Sequence, residues 1–181
     1  FLNGLMDGLG RKQLADGSVY SGDFKRGAYH GRGQLEWANG DVYKGEFENG
    51  AYHGQGALTY KDGRKYRGEF AQGAYHGEGR FDAPDGLAYE GPFQRGAFSG
   101  KGTLYQADGS RHEGMFENWR ALGFGVFYDR EGNVFEGNFN HTDLSGPGSM
   151  RGRGGFSYKG EFRNWQFHGQ RVLKLANGDE Y

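Results

Sequence analysis

The 181-residue chain contains no cysteine and only three prolines. Without cysteine it forms no disulfide bonds and offers no thiolate for metal or redox chemistry. No apolar run approaches the ~18 residues of a membrane-spanning helix, and no signal-peptide pattern is present. The net charge of −1 gives no overall attraction to nucleic acid or to an anionic membrane. The chain is therefore compatible with the reducing cytoplasm, and nucleic acid is not an expected partner.

Glycine and aromatic residues are abundant, with 37 glycines and 17% aromatics, and both recur in register. One position repeats every 23 residues without insertion or deletion, as Tyr20, Tyr43, Tyr66, Tyr89, His112, Phe135, Tyr158 and Tyr181. Phenylalanine stands four residues after each of the first seven members of this series. A fixed period of this length is typical of stacked structural repeats.

Each repeat has the pattern of a β-hairpin. In residues 43–65, the segments 43–47 and 56–60 both alternate with period two, as strands do. Asp62-Gly63 predicts a tight turn in which both residues have positive φ, whereas the connection over 48–54 is expected to be longer. Glycine between two aromatic positions leaves room for a ring close to the backbone.

The sequence therefore predicts an all-β fold, an elongated single antiparallel sheet or solenoid of 23-residue β-hairpin repeats. We expect one array over residues 1–181. It consists of a partial repeat at 1–19, repeats at 20–42, 43–65, 66–88, 89–111, 112–134, 135–157 and 158–180, and the start of another at Tyr181.

The repeat resembles the MORN repeat, whose pattern is close to YxGxxxxGxxHGxGxxxxxxG. The matching segments include YKGEFENGAYHGQGALTYKDG at 43–63 and YRGEFAQGAYHGEGRFDAPDG at 66–86. The resemblance implies a twisted, groove-like antiparallel sheet. It also implies roles in membrane-proximal scaffolds, all-MORN cytoskeletal scaffolds and axonemal assemblies, or in accessory modules of lipid kinases and SET-type methyltransferases. Long arrays of the family often dimerise end to end, and this chain is predicted to be a fragment of a longer array.

The recurring ionisable residues do not form a reaction centre in this pattern. Histidines of adjacent repeats lie roughly 9.6 Å apart, too far to share one zinc ion at ~2 Å, so a local hydrogen bond near the His-Gly turn is the expected role. The recurring carboxylates before each phenylalanine lack the two differently tuned environments that acid–base chemistry needs. We therefore expect no catalytic, cofactor or metal site, and no enzyme activity.

The repeat 112–134 differs from the others because both of its faces are predicted to be apolar. An apolar patch on an otherwise polar face is typical of a partner surface, while coverage by a local loop or a bend of the sheet is the alternative. The predicted partner or homodimer interface consists of Met115, Trp119, Phe124, Val126, Tyr128 and Tyr105, together with Trp165.

Two groups of basic residues suggest a second function, the binding of anionic lipid, although acidic residues interrupt the first group. They are Lys44, Arg64, Lys65 and Arg67, and Arg151, Arg153, Lys159 and Arg163.

The sequence thus predicts a non-catalytic protein-interaction scaffold, cytoskeleton-associated near a membrane and self-associating as an elongated dimer through its C-terminal repeats. The alternatives are a phosphoinositide- or membrane-binding module and an accessory domain of an enzyme that lies outside this fragment.

Overall fold

The computed structural model describes residues 3–141 and 143–180. Thr142, which replaces a recurring glycine, and Tyr181, which starts the next repeat in the sequence, lie outside the described residues. The described residues contain no helix and fifteen strands. The strands are β1 (Gly8–Gln13), β2 (Val19–Lys25), β3 (Ala28–Glu36), β4 (Val42–Glu48), β5 (Ala51–Thr59), β6 (Lys65–Ala71), β7 (Ala74–Asp82), β8 (Ala88–Gln94), β9 (Ala97–Tyr105), β10 (Arg111–Glu117), β11 (Arg120–Tyr128), β12 (Val134–His141), β13 (Asp143–Arg151), β14 (Ser157–Arg163) and β15 (Gln166–Lys174).

The strands follow one another in chain order within one antiparallel sheet, so the predicted all-β hairpin meander is confirmed. Each repeat contributes two strands, a shorter one and a nine-residue one, as β4 and β5 illustrate. The described residues divide into two compact bodies. The N-terminal body comprises the residues up to Asp85 with Pro92–Gly96, and the C-terminal body comprises Gly86–Gly91 with the residues from Ala97 onward.

The two kinds of turn are the reverse of the sequence prediction. Strands β4 and β5 are joined by only two residues, Asn49 and Gly50, both with positive φ (51° and 86°), as in a type I′ hairpin. In the Asp62-Gly63 connection only the glycine has positive φ, at 96°. There the Gly63 amide donates to the carbonyl of Tyr60 at 3.0 Å, as in a three-residue hairpin loop made of a type I turn with a glycine bulge at its end. The Asp62 carboxylate holds this turn by accepting from the Arg64 amide.

The segment predicted as a long connection is instead strand with a bulge. In the pairing of β4 with β5, Gly45 faces Gly56 but the next residue, Glu46, faces His53. Two residues of β5 are therefore extra at this point, and the first of them, Gly54, has a φ of 57°. Because the number of extra residues is even, the side chains beyond the bulge keep the same faces.

The core lies on one face of the sheet, which we call the aromatic face. In the N-terminal body, Tyr43 stacks on Tyr52 with ring centroids 4.1 Å apart, and Phe47 and Phe70 each meet Tyr43 edge-on at 5.0 Å. Phe70 belongs to the following repeat, so the rings interleave between repeats as predicted. The same stack occurs in the other tyrosine-bearing repeats, as Tyr20–Tyr29, Tyr66–Tyr75, Tyr89–Phe98 and Tyr158–Phe167.

A buried tyrosine hydroxyl explains the two in-register glycines of the repeat. The Tyr43 hydroxyl donates to the carbonyl of Glu46 at 2.7 Å, beside the bulge. Its ring lies so close to the backbone that a Cβ on Gly45 or Gly56 would come within 2.6 or 2.5 Å of the hydroxyl oxygen. The predicted close approach of a ring to these glycines is therefore confirmed, and the hydrogen bond fixes where the strand bends.

Candidate interaction surfaces

The face of the sheet opposite the aromatic face, which we call the outer face, carries an exposed apolar cluster in the C-terminal body. Met115 of β10 is 48% exposed and Phe124 of β11 is 64% exposed. The pairing of β10 with β11 shifts between Gly114 and Phe116, so Met115 lies opposite the bulged segment of β11 that contains Phe124. We call this cluster, completed by the residues described below, the outer patch.

Leu122 belongs to the outer patch although the sequence prediction did not include it. It precedes Phe124 by two residues on the same strand, so both side chains point to the same face, and it is 43% exposed. Leu122 occupies the position of the recurring histidine. Its replacement of that histidine was visible in the sequence, and the two-residue alternation would have assigned it to the patch.

The outer patch contrasts with the matching positions of the N-terminal body. There Met115 corresponds to Glu46 and Glu69, Phe124 to Gln55 and Glu78, and Leu122 to His53 and His76. The backbone register is the same in both bodies, with paired glycines next to a two-residue bulge. The fold therefore does not require apolar side chains at these positions, and their presence in repeat 112–134 is a property of this surface.

The margin of the outer patch is more polar and better covered. Val126 and Tyr128 continue the outer face of β11 and are half-buried. The Arg111 guanidinium lies over the Tyr128 ring at 3.7 Å and forms an ion pair of 2.8 Å with Glu113. Tyr105, which pairs with Arg111 across β9 and β10, is 36% exposed. These three predicted residues therefore border the patch, whereas Met115, Leu122 and Phe124 form its exposed centre.

Trp119 and Trp165 do not belong to the outer patch, and the prediction that grouped them with it is wrong. The Trp119 ring packs at 4.3 Å against Phe98, a member of the aromatic-face stack. Trp165 packs at 5.0 Å against Phe127 and at 5.7 Å against Phe139, which is also on the aromatic face. Both residues occupy the second position of a type I′ turn, with φ of 70° and 67°. The turn geometry, which alternation along a strand does not reveal, directs both rings to the aromatic face.

Between the two tryptophans lies a cavity of about 300 Å³, which we call the aromatic-face cavity. It exists because position 121 is alanine, whereas the matching position carries a ring in Tyr52, Tyr75 and Phe98. The side chain at Ala121 is too small to stack on the residue below it. The lining residues are Leu104, Gln106, His112, Trp119, Arg120, Ala121, Phe127, Phe139, His141 and Trp165.

His112 forms the floor of this cavity and replaces the core tyrosine of the other repeats. Its side chain is 5% exposed and contacts the Phe139 ring edge-on at 4.3 Å. Burial lowers its pKa to about 4, although the neighbouring Glu113 carboxylate acts in the opposite direction. The imidazole is therefore neutral near pH 7. At the rim, an Arg120 guanidinium nitrogen lies 3.2 Å from Nε2 of His141.

The recurring histidines do not share one hydrogen-bonding role, so the expectation that each ring makes a local hydrogen bond near the His-Gly turn is wrong. Nδ1 of His53 lies 3.5 Å from the Glu48 carboxylate, while Nδ1 of His30 is buried without a partner. What repeats is the backbone, because the carbonyls of His30, His76 and His168 accept from the core tyrosines at 3.2–3.5 Å.

The basic residues are interleaved with carboxylates. Arg64 pairs with Asp62 at 2.8 Å and lies over Tyr60, at the turn. Arg151 pairs with Glu136 at 3.0 Å. The other predicted lipid contacts are exposed, on strands or turns, and are Lys44, Lys65, Arg67, Arg153, Lys159 and Arg163. Neither group forms the uninterrupted basic cluster typical of anionic-lipid recognition. In the part of the chain that the structure describes, no helix could cross a membrane.

Comparison with known proteins gives one family and one fold. A family model described as "MORN repeat" matches residues 1–19, 20–42, 43–63, 66–88, 89–111 and 158–180. The unmatched stretch 112–157 contains the outer patch and most of the lining of the aromatic-face cavity. No curated protein is similar enough to count as a relative.

Among solved structures, the SAS-4 (dCPAP) TCP domain of Drosophila melanogaster, in complex with a proline-rich motif of Ana2 (dSTIL), has a TM-score of 0.54. It is 13% identical, and the match covers 96% of this chain and 87% of that chain. The CPAP G-box domain has a TM-score of 0.49 at 13% identity, with coverage of 96% and 97%. At this identity the first likeness indicates a shared sheet fold and nothing about partners.

Proposed function

Because the chain belongs to the MORN-repeat family, we propose that it is a non-catalytic protein-interaction scaffold that self-associates through the outer patch. The main support for this proposal is that Met115, Leu122 and Phe124 are exposed at positions where the N-terminal repeats carry polar residues. Exposed apolar clusters cost solubility unless a partner covers them. A self-complementary patch is the usual basis of a two-fold homodimer.

The chemistry of the outer patch supports an interface with an apolar centre and a polar rim. Phe124, the most exposed side chain of the outer patch, lies in the bulged segment of β11, and Met115 opposite this segment can adapt its shape to a partner. Lys101 faces Met115 across β9 and β10, and Asn138 faces Phe124 across β11 and β12. This arrangement of an apolar anchor within a polar border is typical of interaction hot spots.

Association with the cytoskeleton close to a membrane is part of the proposal and rests on the family resemblance. The solved TCP domain with the same sheet fold is in complex with a proline-rich motif of another protein, so a sheet of this fold can bind a protein segment. Co-sedimentation of the purified chain with polymerised tubulin or actin, and separately with liposomes, tests the location. Pelleting with neither polymer nor liposomes would contradict this part of the proposal.

The self-association is tested by replacing Phe124 and Met115 together, as Phe124→Asp with Met115→Lys. Both side chains are exposed, so the sheet should keep its β content by circular dichroism. Burying one phenylalanine is worth about 2–3 kcal/mol, so the dimer should weaken by roughly 30-fold or more. The matched control is Gln55→Asp with Glu46→Lys, at the same positions of an N-terminal repeat. It should leave the association state unchanged.

A further inference from the structure

We propose that the aromatic-face cavity is a docking site for a peptide segment of a partner protein. The peptide inserts one bulky apolar side chain above His112 and presents a carboxylate to Arg120. The cavity lies in the C-terminal body on the aromatic face, whereas the outer patch lies on the opposite face. At the rim, Arg120 also lines a second pocket with Leu122 of the outer patch. Three features of the cavity support the inference. They are the aromatic ring missing at Ala121, the positive φ of the two tryptophans that line it, and an arginine at its rim without a carboxylate partner among the described residues.

The cavity has the shape left by one aromatic side chain. In the preceding repeat, Phe98 stacks on the core Tyr89 with ring centroids 3.8 Å apart. In repeat 112–134 the core residue is His112 and the stacking position is Ala121, so the stacked ring of the preceding repeat has no counterpart at position 121. An apolar side chain supplied by a ligand would restore the contact that the neighbouring repeats make internally. Apolar burial of one such side chain favours binding, offset in part by the cost of ordering the peptide.

The walls of the cavity are tryptophans held in a backbone conformation that favours glycine. Trp119 and Trp165 have φ of 70° and 67°, and the first four repeats carry glycine at this position, as at Gly50 and Gly73. A bulky residue in this region of φ is a strained outlier, and such strain concentrates at functional sites. Tryptophan is also among the residues enriched in binding hot spots. The two rings are fixed by contacts with Phe98 and Phe127, so the cavity is preformed.

The electrostatics of the rim favour an anionic group. Arg120 approaches Nε2 of His141 at 3.2 Å, and among the described residues no carboxylate forms an ion pair with it. Glu117, the backbone partner of Arg120 across the turn, lines a second pocket with Arg120 and His141. The lining of the cavity contains no aspartate or glutamate. A ligand carboxylate could therefore pair with Arg120 without displacing an internal acid.

The occupant is inferred to be a peptide because of how the cavity is built. Its volume of about 300 Å³ is at the lower end for small-molecule sites, and a single sheet layer covers a ligand from one side only. A free small molecule would leave much of its surface in water. A peptide lying across β10, β11 and β12 gains contacts on both sides of the inserted side chain.

The test is selection from a phage-displayed library of random dodecapeptides on the immobilised wild-type chain. Enriched sequences are then synthesised and their affinities measured by fluorescence anisotropy. We expect these peptides to pair a bulky apolar residue with aspartate or glutamate within two positions. Ala121→Phe, which copies the ring at position 98, should fill the cavity, remain folded and weaken binding by about tenfold or more. Arg120→Gln should weaken the acidic peptides by about tenfold and leave their Glu→Gln versions unchanged.

Phe124→Asp is the control, because it alters the outer patch and should bind the same peptides with unchanged affinity. The proposal is overturned if no peptide is enriched, if the enriched peptides lack the acidic residue, or if they bind Ala121→Phe as tightly as wild type. It is also overturned if the single substitution Ala121→Phe lowers the mass of the chain in solution from two copies to one, since a second copy would then be the occupant.

Discussion

The hydroxyl of Tyr43 donates a 2.7 Å hydrogen bond to the carbonyl of Glu46, at the point where β5 bulges against β4. The same bond joins Tyr20 to Asp23, Tyr66 to Glu69 and Tyr158 to Glu161, at 2.7–2.8 Å. Burial raises the pKa of Tyr20 to about 12 and that of Tyr43 further in the same direction. The hydroxyls of Tyr20 and Tyr43 therefore stay protonated, as donors must, throughout the physiological range.

Removing this hydroxyl should destabilise the repeat. Tyr43→Phe keeps the stacked ring but leaves the Glu46 carbonyl without its donor, at a cost of about 1–2 kcal/mol in the free energy of unfolding. Urea denaturation measures the change. The control is Tyr29→Phe, whose hydroxyl has no hydrogen bond among the described residues and which should change stability by less than about 0.5 kcal/mol. Equal losses in the two variants would contradict the role assigned to the Tyr43 hydroxyl.

The glycine beneath the tyrosine ring should tolerate no side chain. In Gly56→Ala the added methyl would lie 2.5 Å from the Tyr43 hydroxyl oxygen and 2.7 Å from a ring carbon, so the ring must move. We expect a loss of about 1–3 kcal/mol in the free energy of unfolding, read from the urea midpoint. Gly154→Ala is the matched control because a Cβ there has nothing within 4 Å. A neutral Gly56→Ala would show that the ring is not fixed by packing on that glycine.

Stability should fall in mildly acidic solution because of His112. Burial holds its folded pKa at about 4, below its usual value of ~6.5, so the unfolded chain binds the proton more tightly. The stability that depends on the neutral form of His112 is fully present above pH 6.5 and is lost as the pH falls toward 4. It amounts to about 2 kcal/mol between pH 8 and pH 5.

The variant His112→Tyr isolates this effect, because tyrosine is the residue of the regular repeat and does not titrate in that window. Between pH 8 and pH 5, the free energy of unfolding of wild type should fall by about 2 kcal/mol more than that of the variant. Carboxylates titrate in both proteins and cancel in the difference. A difference that does not change with pH would mean that His112 is solvated.

The sequence predicted the strands because the 23-residue period and the two-residue alternation are local features. It did not predict the turns correctly, since an Asp-Gly pair suits both a type I′ turn and the glycine bulge that Asp62 and Gly63 form. The faces of Met115 and Phe124 follow from alternation and were identified correctly. The faces of Trp119 and Trp165 depend on turn geometry and on rings of neighbouring repeats, which the pattern of one repeat does not contain.

The aromatic-face cavity could have been found from the sequence by comparing repeats position by position. Ala121 aligns with Tyr52, Tyr75 and Phe98, so the loss of a ring was visible. The cavity itself was not visible in the sequence, because only the packing of rings from successive repeats shows that the missing ring leaves a cavity between two tryptophans.

The most direct test of the proposed scaffold is the mass of the chain in solution, measured by size-exclusion chromatography with multi-angle light scattering over a range of concentrations. The account predicts a mass approaching two chains for wild type as the concentration rises. It predicts a single-chain mass for Phe124→Asp with Met115→Lys, with unchanged circular dichroism. A wild type that stays at one chain at the highest concentration, or a double variant with the same mass as a dimeric wild type, would contradict it.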